Sequence, residues 1–176
     1  MFALMELIVD LKERKVFYDH SNKVYVKEFC PSFERRLKCF FRLRKYPGEN
    51  FFYVARKLNQ LGIKTPEIVE YSKYKVVTKE IQGELLADYF IDNKNPDIEL
   101  KFLNIIVKVI NNRMYHKDFR PGNFIICNNE IYAIDLEDYK TDVIYVWNHQ
   151  ELISRLRKSL KNDDWVAYIE KRIVVK

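Results

Sequence analysis

Apolar positions in the first thirty residues recur at every second place in short runs, at residues 6–11, 15–18 and 24–29, with the polar stretch Asp19-His20-Ser21-Asn22 between the last two. This period predicts a small antiparallel sheet. From Ser32 the period lengthens, and Phe33, Leu37, Phe40 and Phe41 fall on one face of a helix over 32–46, capped by Ser32, turned to the core and ended by Pro47-Gly48. A second helix over 49–61 follows. Its Phe51, Phe52, Val54, Ala55, Leu58 and Leu61 recur as core positions, with Gly62 at the C-terminal turn and Pro66 beyond it. Strands are predicted over 67–71 and 75–81, and helices over 84–91, 97–113, 141–160 and 162–174. The runs Phe124-Ile125-Ile126-Cys127 and Ile131-Tyr132-Ala133-Ile134 flank Asn128-Asn129, the signature of a tight hairpin. Trp147 and Trp165 read as packing residues in the last helices.

Chemistry concentrates around that hairpin. The segment before it reads His116-Lys117-Asp118-Phe119-Arg120-Pro121-Gly122-Asn123, and the strand after it ends in Ile134-Asp135-Leu136. An Asp and an Asn five residues apart, with a second Asp returned beside them, form the kinase catalytic-loop pattern H-R-D-x-x-x-x-N plus a metal-binding Asp. Phosphoryl transfer needs an acceptor hydroxyl held in line and developing charge neutralised, so positioning and electrostatics do most of the work. Asp118 is the candidate for orienting that hydroxyl and taking its proton, and Arg120 for touching the γ-phosphate. Asn123 and Asp135 offer hard oxygen ligands suited to Mg²⁺. His116 reads as a structural loop histidine bonded to backbone, and Glu137 and Asp138 as solvent-facing acids after the strand.

A catalytic hairpin downstream of a sheet with an inserted helix is the α+β, two-lobed protein-kinase-like plan, with ATP between the lobes. The whole of 1–176 is then one domain, with an N-terminal lobe over about 1–81, a connector at 82–83 and a C-terminal lobe over about 84–176. The phosphate-anchoring lysine belongs on the third strand, where Val24-Tyr25-Val26-Lys27 supplies Lys27. Glu49 is its expected carboxylate partner at the start of the second helix, with Glu34 as second choice. Two departures stand out. Tyr25 shares a strand face with Lys27 where a small residue normally meets adenine, and the first turn, Lys12-Glu13-Arg14, has no glycine to cover phosphates.

The stretch Glu80-Ile81-Gln82-Gly83-Glu84-Leu85, the loop ending Pro121-Gly122-Asn123-Phe124-Ile125-Ile126 and the strand end Ile134-Asp135-Leu136 together resemble the bacterial lipopolysaccharide core heptose(II) kinases. The likeness covers roughly residues 27–140, and its catalytic loop is the specific part. It implies a kinase-like fold, ATP-dependent phosphorylation of a heptose hydroxyl in the inner core, and work at the cytoplasmic membrane face. Glu80, at the end of the strand over 75–81, and Gln82, on the connector, are the further nucleotide-binding candidates. Kdo kinases, RIO-type kinases and antibiotic phosphotransferases share loops of this kind, so another acceptor stays open, as does a nucleotide-binding pseudokinase.

Length, charge and cysteines narrow the partners. At 176 residues, 48% hydrophobic and 15% aromatic, the chain can bury a core of its own. After Asp135 only about forty residues remain, with D-L-E in place of D-F-G and no A-P-E, so a sugar or glycolipid acceptor fits better than a protein. Cys30, Cys39 and Cys127 show no C-x-x-C spacing and read as reduced thiols in apolar surroundings, which favours the cytoplasm. No apolar run is long enough to span a bilayer. The net charge of +6 is concentrated in Arg35, Arg36, Lys38, Arg42, Arg44 and Lys45, suited to an anionic membrane face. Nucleic acid is not favoured, because the aromatics of that helix are expected to face the core.

Overall fold

The computed structural model describes residues 5–141 and 149–174. The strands β1 (Met5–Leu11), β2 (Arg14–Asp19), β3 (Val24–Phe29), β4 (Ile68–Tyr71) and β5 (Lys75–Lys79) form one antiparallel sheet in the order β1-β2-β3-β5-β4. Val16, Lys27 and Val76 stand opposite one another across its middle, and Arg14 stands opposite Phe29. Side chains two apart share a face, so this register puts Arg14 and Lys27 on the side that carries the buried Phe29 and Val76.

Two helices follow β3, and both differ from the sequence pattern. The first, α1 (Phe33–Phe40), is shorter than expected. Leu43 N bonds to Lys38 O and Arg42 N to Cys39 O, a Schellman closure with Arg42 left-handed at φ 58°. Without the usual glycine at that position the stop is invisible in sequence. The expected core stripe faces outward, and Phe33, Phe40 and Phe41 are exposed while Cys39 is the buried residue. Polar anchors decide the orientation. Arg36 Nε donates to Pro31 O at 3.0 Å, and Arg35 reaches Glu13 at 3.2 Å and Asp138 at 3.9 Å. Periodicity states which residues share a face, not which face is buried.

Pro47 opens α2 (Pro47–Gln60) instead of ending α1, because a missing N–H is harmless at a first helical position. Phe51, Val54, Ala55 and Leu58 of α2 are buried, as expected of them. The region expected as one helix over 84–91 splits into β6 (Glu84–Leu85) and α3 (Leu86–Asp92), since Glu84 and Leu85 pair with Ile126 and Ile125 of β7 (Phe124–Cys127). Gly83 makes that approach possible: a Cβ there would lie 2.2 Å from Ile126 O. α4 (Pro96–Asn111) starts at Asn95, whose side chain accepts from Asp97 N and Ile98 N. β7 pairs with β8 (Glu130–Ala133) through a turn in which Asn128 and Asn129 take φ 51° and 59°.

α5 (His149–Leu160) and α6 (Asp163–Glu170) complete the fold; of the penultimate helix expected over 141–160, Thr141 is not helical and residues 142–148, Trp147 with them, lie outside the described residues. Trp165 packs on Phe90 and Phe102 as expected, and its Nε1 donates to Glu99 at 2.6 Å. One buried cluster runs from Phe29, Phe51 and Leu58 through Phe102, Phe124 and Ile131 to Leu156 and Ile169. It ties the large sheet, the β7–β8 hairpin and the helices to a single core. Of the thiols, Cys39 is buried and Cys127 half-buried, but Cys30 is exposed, since it follows the end of β3. Among the described residues no helix is long and apolar enough to cross a membrane.

Candidate active site

The loop 116–123 is pinned at both ends by backbone pairs. Tyr115 and Lys140 exchange two hydrogen bonds at 2.8 and 2.7 Å, and Ile134 N donates to Asn123 O at 3.0 Å. Inside the loop, Asn123 Nδ2 donates to Asp118 O at 2.8 Å and His116 Nδ1 lies 2.6 Å from the same oxygen. Asp118 N donates to the same Nδ1 at 3.2 Å, so His116 holds the loop by its backbone, the structural role its position suggests. Asp118 Oδ1 accepts from Arg120 N at 3.2 Å, and Arg120 Nε sits 3.3 Å from Oδ2. The Asp118 carboxylate is thus held by the residue expected to reach phosphate, and the Arg120 side chain is largely exposed.

Burial pushes the His116 pKa down, against the opposing pull of its bond to Asp118 O and of nearby carboxylates. A histidine with a depressed folded pKa binds fewer protons than the unfolded chain just below the ordinary value near 6.5. Stability is therefore expected to be full above that pH and to fall progressively below it. Thermal melts across the range would show the loss, and His116→Asn, which keeps a donor for Asp118 O, should flatten the slope in this range.

Asp135 follows β8 with φ 59°, a left-handed residue that turns the chain sharply into the short 3-10 turn Leu136–Asp138. Its two oxygens meet two cations: Oδ1 is 2.7 Å from Lys27 Nζ and Oδ2 is 3.2 Å from Arg14 Nη1. Burial raises the Asp135 pKa, but the charges of Lys27 and then Arg14 outweigh it and hold the carboxyl below its ordinary range. Glu137 completes the cluster, 3.1 Å from Lys27 Nζ and 3.0 Å from Arg14 Nη1. Glu137 is only 5% exposed. The solvent-facing expectation for it is wrong, because the left-handed turn at Asp135 swings the chain back under the sheet. Asp138 is half-buried and pairs with Lys117 at 3.3 Å.

Lys27 thus has its carboxylate partners after β8, not on α2. Glu49 makes no ion pair with Lys27 in the structure. The reason is helical phase: Phe51 takes the inward side of α2, with Lys27 Nζ 5.6 Å from its ring centre, and a residue two places earlier points away. Glu34, the second choice, pairs with Lys38 on exposed α1. The α2 residue that does reach the site is Asn50, whose Nδ2 donates to Glu137 O at 3.1 Å and Tyr139 O at 3.0 Å. Just after β5, Glu80 lies within electrostatic reach of Tyr18 and Tyr25, and Gln82 on the connector is exposed. Tyr25 rests against Tyr18 with ring centres 4.8 Å apart.

A cavity of about 310 Å³ is lined among others by Leu11, Arg14, Arg35, Lys117, Asp118, Arg120, Asn123, Asp135 and Glu137. No family model matches the chain, and no curated protein does. Solved structures do match. The chain aligns over 96% of its length with the Rio2 kinase of Chaetomium thermophilum in a complex with ADP, Mg²⁺ and phosphoaspartate, at 14% identity and a TM-score of 0.55, spanning 60% of that chain. It aligns over 96% with APH(2″)-IIa in a ternary complex with streptomycin and ATP, at 12% identity and a TM-score of 0.62, spanning 76% of that chain. The chain has a protein-kinase-like fold.

On the kinase-like frame, Lys27, Asp118, Asn123 and Asp135 converge as their spacing implied, whereas Glu49 does not join them. Arg14 and Glu137 are the residues that sequence reasoning left out. Arg14 had a signal, since it is the last residue of the glycine-less turn that should cover phosphates. Glu137 had a weaker one, two places after the candidate metal ligand.

Whether Mg²⁺ suits the site turns on its donors. Among the described residues no three His, Cys, Asp or Glu side chains are grouped to hold a metal. A Mg²⁺ ion that keeps several waters and shares nucleotide phosphates needs only one or two protein oxygens. Asp135 supplies a carboxylate, and Asn123 lines the same cavity with its Nδ2 already bound to Asp118 O, which leaves the carbonyl oxygen as its remaining group. The donor set fits that hard cation.

Proposed function

We propose that the chain is an ATP-dependent phosphotransferase acting on a sugar hydroxyl, with a heptose of the lipopolysaccharide inner core as acceptor. The observation that carries it is the convergence of Asp118, Asn123 and Asp135 on one cavity of a kinase-like fold, with Lys27 bound to Asp135. The heptose assignment rests on the motif resemblance, and a cytoplasmic location goes with it. In this reading residues 1–81 and 84–176 are the two lobes that face the nucleotide, and Glu80 and Gln82 lie at its base.

Asp118 orients the acceptor hydroxyl and takes its proton on a carboxylate oxygen as the sugar oxygen bonds to the γ-phosphorus. The bond from that phosphorus to the ADP oxygen breaks, so the products are the phosphorylated sugar and ADP. Mg²⁺, held by Asn123 and Asp135, would neutralise charge on the phosphates. Lys27 and Arg14 are stored on Asp135 and Glu137, and incoming phosphates offer them an alternative anion. Arg14 thereby supplies from a side chain the phosphate cover that other kinases take from glycine-loop backbone N–H groups. Glu137, buried, keeps Lys27 in place where Glu49 was expected to.

A second reading, a nucleotide-binding pseudokinase, is favoured by one feature: both oxygens of Asp135 are occupied by cations of the chain itself. γ-labelled ATP with Mg²⁺ and purified heptose-containing core oligosaccharide separates the two. Label on the oligosaccharide is the expected result. Nucleotide binding with no label on any sugar acceptor and no release of ADP would leave the pseudokinase.

A further inference from the structure

The face of α1 expected to be core is bare. Phe33 is 77% exposed, Phe40 72%, Phe41 65% and Leu43 77%. Phe33, Leu37, Phe40 and Phe41 lie along one side of a helical path, so these groups form a patch, with the Phe40 and Phe41 rings edge to face at 5.4 Å. An apolar patch of this kind on a monomer marks an interaction site. The same thirteen residues, 33–45, carry Arg35, Arg36, Lys38, Arg42, Arg44 and Lys45 against the single acid Glu34, a net of +5 in a chain whose total is +6.

We infer that residues 33–45 dock the protein on an anionic lipid bilayer, with the phenyl rings and Leu43 in the headgroup–acyl boundary and the exposed Arg36, Lys38 and Arg42 on the lipid phosphates. Aromatic and leucine side chains next to arginine and lysine match the composition of interfacial segments. Charge decides among occupants. A second copy would set the exposed Arg36, Lys38 and Arg42 of one face against those of the other, and nucleic acid would give four exposed apolar side chains no nonpolar medium. An anionic bilayer satisfies both demands at once.

The patch adjoins the cavity. Arg35 is on α1 and also lines the cavity, and it bonds both Glu13 of the first hairpin and Asp138 after Asp135. Docking through α1 therefore brings the cavity mouth to the headgroups, and, on the phosphotransferase reading, favours acceptors anchored in lipid over free sugars.

The test is pelleting of the full chain with vesicles, without nucleotide, so that it does not depend on phosphoryl transfer. Vesicles of phosphatidylcholine with phosphatidylglycerol should carry the protein down, and phosphatidylcholine alone should not. Raising salt from about 0.1 M to about 1 M, which shortens the screening length from about 10 Å to about 3 Å, should release much of it. Combining Phe40→Ser with Phe41→Ser should lower partitioning about tenfold or more, with an unchanged thermal melt. Arg42→Glu, a charge reversal at an exposed position, gives an independent loss. Equal binding to neutral vesicles, or no loss in either variant, overturns the inference. So does a wild type that ignores vesicles but self-associates in sedimentation until the two phenyls are replaced, which gives the patch to a second copy.

Discussion

Asp118→Ala is expected to slow phosphoryl transfer about 10²- to 10⁴-fold, the range for loss of a general base, while Mg·ATP still binds with near wild-type affinity. The structure separates the two effects. What Asp118 gives the loop is its carbonyl, which binds Asn123 Nδ2 and His116 Nδ1, and alanine retains it. Among the described residues the carboxylate that is lost meets only Arg120. Titration calorimetry with Mg·ATP and turnover with acceptor, run on the same protein, measure both. Wild-type turnover in the variant would sink the phosphotransferase assignment, whereas loss of binding together with turnover would place Asp118 on the nucleotide.

Asp135→Ala should behave in the opposite order, with the Mg²⁺-dependent part of nucleotide binding falling by about 10²-fold or more before chemistry is reached. Two consequences separate it from a nonspecific lesion. Glu137 still accepts from Lys27 and Arg14, so the cations keep a partner, and the nucleotide-free protein should lose only about 1–2 kcal/mol of stability. Glu137→Gln is the contrast, since it leaves the metal ligand and weakens the anchor of Lys27, raising the KM for ATP with Mg²⁺ dependence retained. Calorimetry with and without Mg²⁺ gives the first effect and denaturant titration the second. Equal Mg·ATP affinity in wild type and Asp135→Ala would remove Asp135 from the metal site.

How far the sequence reaches is clearest at these residues. Asp118, Asn123 and Asp135 are legible because their spacing is local: five residues of loop, then a hairpin whose Asn-Asn turn fixes the return. Lys27 is legible because strand count and strand phase both follow from period-2 patterning. Glu49 misleads because a carboxylate near a helix start is a correct expectation of type but not of phase, and Phe51 settles the phase. Glu137 is missed because one backbone angle, the left-handed Asp135, decides whether the next acids point to solvent or to Lys27. The stripe on α1 is read correctly as a stripe and wrongly as core. Its orientation depends on Arg35 and Arg36 finding partners far away in the chain, at Asp138, or in an irregular segment, at Pro31.

Asn50 carries one more consequence. Its amide holds two backbone carbonyls of the segment that follows Asp135, so α2 and that segment move as one body. Swinging α2 outward would leave both oxygens without this donor, at about 1–3 kcal/mol for each one that stays buried. A chain latched in this way disfavours any posture with α2 swung away from the segment that follows Asp135.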